Sequence, residues 1–232
     1  MINILIVDDE EEIMELMEVY LVNEGYNVIK RNTGLDIIDV IKEKNIKLVI
    51  LDRMMPDIDG IQVCMNIRKC YNIPIIMVSA KSQDIDKIYG LSTGADDYIT
   101  KPFNPMEFVA RVKSQVRRYL YLSGEKVTTE SENDVIDIKG VQINQSNHVV
   151  KVLGKVIKLT PKEYEILLLL ARNKGRVFSS EEIFRQVWQE KYFDNNNTVM
   201  VHMWRIREKL EQNPKDPKII ETVWGVGYKI EE

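Results

Sequence analysis

The chain has 232 residues, of which 44% are hydrophobic and 29% are charged, and its formal net charge is −4. This composition is that of an ordinary globular protein and excludes a fibrous or largely disordered chain, while the length favours two domains. No apolar run approaches the roughly 18 residues of a membrane helix, and acidic residues soon interrupt the apolar start, so we expect a cytoplasmic protein without membrane contact.

Short apolar runs alternate with amphipathic stretches up to about residue 120. Ile13, Leu16 and Tyr20, between the first two runs, recur at helical spacing. The apolar runs, interpreted as strands, lie at residues 2–7, 28–29 with their flanks, 48–51, 73–78 and 98–99. Alternating strands and helices of this size predict an α/β fold with a doubly wound, five-stranded parallel sheet.

Two further features of this first half bear on its organisation. Cys64 and Cys70 are the only cysteines, and their spacing suits neither a zinc knuckle nor a redox pair. The last helix has a recognisable start, because Asn104 can cap it and Pro105 suits its first position. We therefore expect unreactive thiols and a helix that begins at residue 105.

The composition changes in the middle of the chain. Residues 121–133 are polar and nearly free of large apolar side chains, which predicts a linker between domains at residues 1–120 and 134–232. Acidic residues exceed basic ones in residues 1–122, but the two balance in residues 123–232. Any nucleic-acid site must therefore be a local patch, because the chain has no overall positive field.

The second half begins with alternating residues that predict short antiparallel strands. Three helices follow: the first begins at Thr160, the second near Ser179 or Ser180, and the third spans about residues 197–210. A terminal hairpin about Gly225 completes the pattern. Strands, three helices and a hairpin predict a winged helix-turn-helix.

Polar side chains follow four of the five strands predicted in the first half. They are Asp8 and Asp9 after the first strand, Asp52 after the third, Ser79 after the fourth and Lys101 after the fifth. Ligands of an open parallel sheet bind beyond the carboxyl ends of its strands, so these groups should share one crevice. Three carboxylates repel one another unless a cation lies among them, and an all-oxygen set suits Mg²⁺. A carboxylate that attacks a phosphoryl donor forms an aspartyl phosphate, which Lys101 and Ser79 would stabilise.

The segments ILIVDDE, LDRMMPDIDG, IIMVSA and GADDYITKPF together resemble the signature blocks of a response-regulator receiver domain, across residues 1–120. The resemblance implies Asp52 as the phosphoacceptor and a sensor histidine kinase as the phosphoryl donor. The metal ligands that it implies are Asp9 and Asp52, with Asp8 nearby, and the carbonyl of Met54.

The same resemblance implies a set of switch residues. They are the hydroxyl of Ser79, the ring of Tyr98, which turns inward on activation, and the phosphate-binding Lys101 before a cis Pro102. Arg53 departs from the family pattern, because an aliphatic residue usually follows the phosphoacceptor. This departure bears on the lifetime of the phosphate and on the fit to the kinase.

The predicted helix at residues 197–210 has two different faces. Its apolar face comprises Val199, Met203, Ile206 and Leu210, and its polar face comprises Thr198, Val201, His202, Arg205 and Lys209, with Arg207 on the flank. Such a helix suits the DNA major groove, where Arg reads guanine. Glu208 and Glu211 dilute the basic patch, so the pattern alone is equally compatible with an ordinary exposed helix.

The segments LTPKEYEILLLLARNKGRVFSSEEIFRQVW, NNTVMVHMWRIREKL and IETVWGVGYKI resemble the effector domain of the OmpR/PhoB family, across residues 134–231. The resemblance implies that Arg205 and His202 read bases in promoter DNA. The supporting DNA contacts that it implies are Thr198, Arg207 and Lys209, and Val201 on the same face of the helix is a further candidate. It also implies that the loop from Gln189 to Asn196 contacts RNA polymerase.

Two tryptophans depart from the common pattern of that family. Trp204 occupies a position where a small or basic residue is frequent, and Trp224 stands at the hairpin tip, where an Arg often enters the minor groove. We count both as candidate DNA contacts, with Trp224 making stacking or apolar contact to sugars.

The receiver resemblance also implies a homodimer. In that family, charged residues pair across a symmetric interface formed by the last two receiver helices and the strand between them. The matching positions are Lys87, Asp96, Asp97, Glu107, Arg111 and Arg118. Phosphorylation would stabilise the conformer that self-associates.

Other functions remain open from the residues alone. An aspartyl phosphate also occurs in phosphatases and phosphotransferases, but these need a second acid–base carboxylate, whereas Arg53 and Met54 follow Asp52. A signalling adaptor whose second domain binds protein and a DNA-binding regulator that needs no phosphorylation are further alternatives. The prediction that we favour is a regulator rather than an enzyme, which is phosphorylated on Asp52, dimerises and binds DNA.

Overall fold

The computed structural model describes residues 1–80, 93–122, 135–146, 148–189, 192 and 197–231. The chain divides into two compact units, Met1–Tyr119 and Leu120–Glu232, called the N-terminal and C-terminal units below. No helix among these described residues combines the length and the apolar content needed to cross a membrane.

The N-terminal unit is an α/β structure. Its strands are β1 (Ile2–Val7), β2 (Tyr26–Arg31), β3 (Ile46–Asp52), β4 (Ile75–Ser79) and β5 (Asp97–Thr100). Its described helices are α1 (Glu11–Asn23), α2 (Ile37–Lys44), α3 (Gly60–Cys70) and α4 (Pro105–Leu122). The prediction of five parallel strands is confirmed.

The sheet order β2-β1-β3-β4-β5 places β1 and β3 side by side. Val7 of β1 aligns with Leu51, and Asp52 of β3 aligns with Val78 in parallel register. The central strands read as continuous apolar runs, with Ile4–Val7 and Leu48–Leu51 buried, because helices cover both faces of a parallel sheet. The chain leaves β1 in one direction and β3 in the other, so a crevice opens between their carboxyl ends.

Helix α4 begins as the sequence predicts. The Asn104 side chain accepts hydrogen bonds from the backbone N–H groups of Met106 and Glu107, and Pro105 is the first helical residue. The helix continues through Leu122, and so enters the range 121–133 that was predicted as a linker. Residues 123–133 of that range lie outside the described residues.

The C-terminal unit begins with an antiparallel sheet. Its strands are β6 (Val135–Ile138), β7 (Val141–Asn144), β8 (Val150–Val152) and β9 (Lys155–Ile157). Helices α5 (Pro161–Arg172), α6 (Ser180–Trp188) and α7 (Thr198–Leu210) follow, and then a hairpin of β10 (Glu221–Val223) and β11 (Gly227–Lys229). This order confirms the predicted winged helix-turn-helix.

Both helices before α7 have a capping box. The Thr160 side chain accepts from the N–H of Glu163 while the Glu163 carboxylate accepts from the N–H of Thr160, and Ser179 and Glu182 repeat the arrangement. A cap of this kind stabilises a helix by about 1 kcal/mol. The predicted starts of α5 and α6 are confirmed.

Candidate phosphoacceptor site and DNA interface

Three carboxylates converge at the crevice of the N-terminal sheet. Asp8 and Asp9 follow β1, and Asp52 is the last residue of β3. One carboxylate oxygen from each lies within 4.8 Å of the others. Asp8 and Asp52 are buried, whereas Asp9 is exposed, so the cluster is open to solvent on one side. The three residues lie together, as expected from their places at the carboxyl ends of adjacent parallel strands.

Lys101, just beyond β5, brings a positive charge into this cluster. Its Nζ lies 2.7 Å from Asp8 Oδ2, 3.0 Å from Asp52 Oδ1 and 2.9 Å from Glu10 Oε1. The backbone N–H of Lys101 donates to the carbonyl of Ser79, and the peptide bond to Pro102 is cis. The ammonium therefore lies between the two buried carboxylates.

Burial and hydrogen bonds between charged groups act in opposite directions on the pKa of Asp8 and on that of Lys101. Burial raises the pKa of the Asp8 carboxyl above its ordinary value, although hydrogen bonds from Lys101 and from the N–H of Glu10 act to lower it. Burial also acts to lower the pKa of Lys101, but its hydrogen bonds to Asp8, Glu10 and Asp52 outweigh it and hold the pKa well above its usual range. The Lys101 ammonium is therefore charged at neutral pH.

The loop after β3 holds Asp52 through its backbone. The backbone N–H of Met54 donates to Asp52 Oδ2, and the N–H of Gly60 donates to the carbonyl of Arg53. A Cβ on Gly60 would lie 2.1 Å from the Asp52 carbonyl oxygen, so only glycine permits this close approach. This role of Gly60 is not predicted by the sequence, in which its only signal is its place in the LDRMMPDIDG segment.

The two other residues expected to respond to phosphorylation are buried. Ser79 ends β4, the strand next to β3, and is fully buried. Tyr98 of β5 is 2% exposed, so its ring is directed inward. Arg53, the departure beside the phosphoacceptor, is partly exposed.

Part of the charged face proposed for dimerisation is present on α4 and β5. Arg111 Nη1 lies 2.7 Å from Asp97 Oδ1, and Arg111 Nε donates to Glu107 Oε1 at 2.9 Å. Arg118 is partly exposed further along α4. Glu107 is exposed and Arg111 is partly exposed, whereas Asp97 is only 9% exposed.

Asp96 does not belong to that face, which corrects the sequence-based assignment. It is fully buried, and its Oδ2 accepts from Arg68 Nη2 at 2.6 Å and from the N–H of Ile75 at 2.9 Å. Asp96 and Asp97 therefore have different partners, as successive residues of extended chain do when their side chains alternate. Asp96 joins α3 to the sheet within one molecule.

Helix α7 turns two of its predicted DNA contacts inward. His202 is 1% exposed, its ring meets that of Trp188 at 5.1 Å between centroids, and its Nδ1 lies 2.9 Å from the Thr198 carbonyl oxygen. Thr198 is fully buried. Neither side chain faces solvent, so the assignments of His202 as a base reader and of Thr198 as a supporting contact are corrected. Their side of α7 packs against α6, which the helical period alone does not reveal.

Two basic side chains of α7 are held within the C-terminal unit. Arg207 donates to the carbonyl of Ile220 at 2.7 Å and to Thr222 Oγ1 at 2.8 Å. Lys209 Nζ lies 2.6 Å from Glu163 Oε2. Arg207 therefore fixes the hairpin to α7, and Lys209 fixes α7 to the start of α5.

Other predicted DNA contacts lie at the surface. Trp204 is 41% exposed, and Val201 and Arg205 are partly exposed. Trp224, at the tip of the β10–β11 hairpin, is 90% exposed. The exposed part of the candidate interface is therefore more apolar than the sequence pattern suggested.

Two sequence-based assignments fall where the structure describes little. Lys87, proposed for the dimer face, lies outside the described residues. Of the loop from Gln189 to Asn196, proposed to contact RNA polymerase, only Gln189 and Tyr192 are described. Both assignments stay predictions from the sequence.

Sequence profiles of two known domains match this chain. Residues 4–113 match the response regulator receiver domain, and residues 154–230 match the C-terminal domain of transcriptional regulatory proteins. The matched ranges contain the carboxylate cluster and the helix α7 with its hairpin, respectively.

Curated relatives share this arrangement over nearly their whole length. The chain is 49% identical to the regulatory protein VanRc of Enterococcus gallinarum, over 99% of this chain and 98% of the relative. It is 48% identical to VanR of Enterococcus faecium, with the same coverage, and 39% identical to the transcriptional regulatory protein SrrA of Staphylococcus aureus, over 98% of this chain and 95% of SrrA.

Solved structures of full-length proteins also resemble this chain. DrrB of Thermotoga maritima, described as an OmpR/PhoB homologue, is 33% identical over the full length of both chains, with a TM-score of 0.47. A mutant of RitR has a TM-score of 0.66 at 21% identity, also over both full chains, and shows the fold. The chain belongs to the response regulators and is a transcriptional regulator with a receiver domain and a winged-helix DNA-binding domain.

Proposed function

We propose that Asp52 accepts a phosphoryl group from a sensor histidine kinase and that this phosphorylation controls binding to promoter DNA. One observation carries the proposal: Asp52, nearly buried, lies 3.0 Å from the ammonium of Lys101 inside a cluster of carboxylates. A single buried carboxylate would require only one cation as its partner. Several carboxylates grouped around one lysine ammonium instead have the composition of a site that binds a phosphoryl group.

The acidic residues at this site fit a divalent cation. Asp8, Asp9 and Asp52 offer oxygen atoms within 4.8 Å of one another, and Mg²⁺ prefers such oxygen ligands while keeping several waters. The Met54 carbonyl is the further ligand that we propose. Bound there, Mg²⁺ would offset the negative charge of the phosphoryl group.

The residues of the chain suggest how the transfer proceeds. An Asp52 carboxylate oxygen attacks the phosphorus of a phosphohistidine on the kinase, a P–O bond forms, and the P–N bond breaks with its electron pair on the imidazole. Lys101 donates hydrogen bonds to one phosphoryl oxygen, and the Ser79 hydroxyl donates to another. The chain thus assists one transfer to itself and is not a turnover enzyme.

The proposed consequence is a homodimer that holds two DNA-binding domains. Ser79 and Tyr98 respond to the phosphoryl group, and the pairing surface comprises Lys87, Asp97, Glu107, Arg111 and Arg118. Two winged helices on a direct repeat bind more tightly than one because the second contact is intramolecular. This gain in DNA affinity matters because basic and acidic residues balance in the C-terminal half, so the half has no net positive charge to attract DNA.

The C-terminal unit would supply the contacts to DNA and to RNA polymerase. We propose Arg205 as a base reader in the major groove, with Val201 and Trp204 beside it and Trp224 at the minor groove. The loop from Gln189 to Asn196 would contact RNA polymerase. The protein would act in the cytoplasm, where promoter DNA lies.

The relatives suggest which genes are regulated. Identities of 49% and 48% to VanRc and VanR extend over 99% of this chain. We therefore propose a VanS-like membrane kinase as the partner, and vancomycin-resistance or cell-wall genes as targets.

Radiolabelled acetyl phosphate tests the phosphoacceptor. We expect the full chain to take up label in the presence of Mg²⁺, and Asp52→Ala to take up none. Asp57→Ala, an exposed carboxylate in the same loop, is the matched control and should retain labelling. EDTA should abolish it. Labelling of Asp52→Ala, or none of the wild type, would overturn the proposal.

A further inference from the structure

The solvent-facing side of α7 carries both apolar and charged side chains. Met200 is 53% exposed, Trp204 is 41% exposed, and Glu208 is also exposed. These residues are four apart, so they form one stripe along the helix. Val201 and Arg205, both partly exposed, flank this stripe. We call these five residues the outer ridge of α7.

The outer ridge is mostly apolar because the other basic residues of α7 are bound elsewhere. Arg207 is held by Ile220 and Thr222, and Lys209 is held by Glu163. The ridge therefore offers three apolar side chains, one cation and one carboxylate. An exposed carboxylate there opposes close contact with phosphates, so the ridge favours contact with base edges.

The hairpin of β10 and β11, called the wing below, continues this apolar surface within the same unit. Trp224 and Val226, at the turn between β10 and β11, are 90% and 57% exposed. The hydrogen bonds from Arg207 to Ile220 and Thr222 tie the start of the wing to α7. A fixed helix and wing that both expose apolar groups suit a long, continuous partner such as duplex DNA.

The major groove of DNA presents only one apolar group, the 5-methyl of thymine. We infer that Met200 and Trp204 select the operator half-site through thymine methyl groups, in addition to any guanine that Arg205 reads. This inference rests on the proposed binding of promoter DNA, and it assigns sequence preference to apolar contact between these side chains and the bases rather than to hydrogen bonds. Met200 was not among the contacts expected from the sequence.

Deoxyuridine provides a direct test, because it differs from thymidine only by the missing methyl. Sites are first selected from a random duplex library with the full-length protein, activated by Mg²⁺ and beryllofluoride. Fluorescence anisotropy then compares the selected duplex with copies in which single thymines are replaced by deoxyuridine. We expect wild-type affinity to fall about fourfold at one or more positions, the size expected for one buried methyl group.

Two variants test whether the outer ridge causes this loss of affinity. Met200→Ala and Trp204→Ala should each bind the thymine and deoxyuridine duplexes equally well at the position that each residue contacts. Val156→Ala, an apolar side chain of β9 that is 61% exposed, is the matched control and should keep the wild-type difference. Thermal unfolding should show that all three variants are folded.

The outcomes separate this inference from the function on which it rests. If a site is selected but deoxyuridine leaves wild-type affinity unchanged at every thymine, methyl readout is wrong and DNA binding stands. If no site is selected, DNA binding and the inference both fail. If Trp204→Ala retains the wild-type response to deoxyuridine but abolishes self-association in sedimentation, the ridge covers a second copy, and the inference is overturned.

Discussion

Lys101 shows how much of the receiver site depends on a single side chain. Its ammonium contacts Asp8, Asp52 and Glu10, at 2.7, 3.0 and 2.9 Å. Burial strengthens the contacts with Asp8 and Asp52, whereas the Glu10 side chain is exposed. Its contact with Glu10 is not predicted by the sequence, in which Glu10 is one of five successive acidic residues, 8–12. The same ammonium would meet the phosphoryl group on Asp52.

Lys101→Ala is therefore expected to slow phosphorylation by acetyl phosphate about a hundredfold, the effect of removing one preorganised donor from a transition state. Time courses of labelling measure the rate. Lys42→Ala, an exposed lysine of α2, should react at the wild-type rate. A Lys101→Ala rate equal to that of wild type would show that this ammonium does not contact the transferred group.

His202 and Arg205 are three residues apart on α7 but should respond to substitution in opposite ways. His202 is buried against Trp188, so His202→Ala should lower the free energy of unfolding of the C-terminal unit by about 2–4 kcal/mol. Arg205 is partly exposed, so Arg205→Ala should leave stability nearly unchanged and weaken operator binding by about 1–3 kcal/mol.

Tryptophan fluorescence in urea measures this unfolding selectively, because Trp188, Trp204 and Trp224 are the three tryptophans of the chain and all lie in the C-terminal unit. Anisotropy with operator DNA measures affinity. An unchanged stability for His202→Ala, together with a large loss of DNA binding, would restore the role expected from the sequence.

At the scale of elements, α3 is attached to the sheet by one buried ion pair. Arg68 Nη2 lies 2.6 Å from Asp96 Oδ2, and Arg68 also donates to the carbonyls of Gly94 at 2.8 Å and Ile73 at 2.6 Å. Both charged side chains are at most 4% exposed. Removing Arg68 would leave the Asp96 carboxylate buried without this partner.

We expect Arg68→Ala to lower the free energy of unfolding of the N-terminal unit by about 3–5 kcal/mol. Glu18→Ala breaks a surface pair with Lys30 in the same unit, 2.6 Å long, and should lower stability much less, because solvent screens an exposed pair. Circular dichroism during urea unfolding compares the two variants. Equal losses would show that the buried pair adds no more than the surface pair.

The elements themselves were predictable from local signals in the sequence. Continuous apolar runs indicated the buried strands, and Asn104, Thr160 and Ser179 marked the helix starts, because caps and strands are local patterns. The crevice was predictable as well, since topology alone brings Asp8 and Asp52 to adjacent strand ends.

What the sequence did not reveal depends on contacts between distant elements. Asp96 was assigned to a surface because nothing near it in the chain indicates that Arg68 reaches it from α3. Thr198 and His202 were placed on a DNA face because the helical period separates two faces but does not show how far α6 covers their flank. Tertiary packing decides such positions, and local pattern does not.

At the scale of the whole molecule, the distribution of charge favours control of DNA binding by dimerisation. The net charge is −4, and the half that binds DNA is balanced in charge, so one domain alone has little long-range attraction for DNA. Local contacts made twice, by the homodimer proposed above, would compensate for this weak attraction. A receiver that dimerises when Asp52 is phosphorylated would supply the second set of contacts.

Sedimentation velocity tests this claim most directly. Wild type, Asp52→Ala and the control Asp57→Ala are each compared with and without Mg²⁺ and beryllofluoride. We predict that wild type and Asp57→Ala shift from monomer to dimer, whereas Asp52→Ala stays a monomer. A wild type that does not shift, or an Asp52→Ala variant that shifts as the wild type does, would contradict control of assembly by the phosphoacceptor.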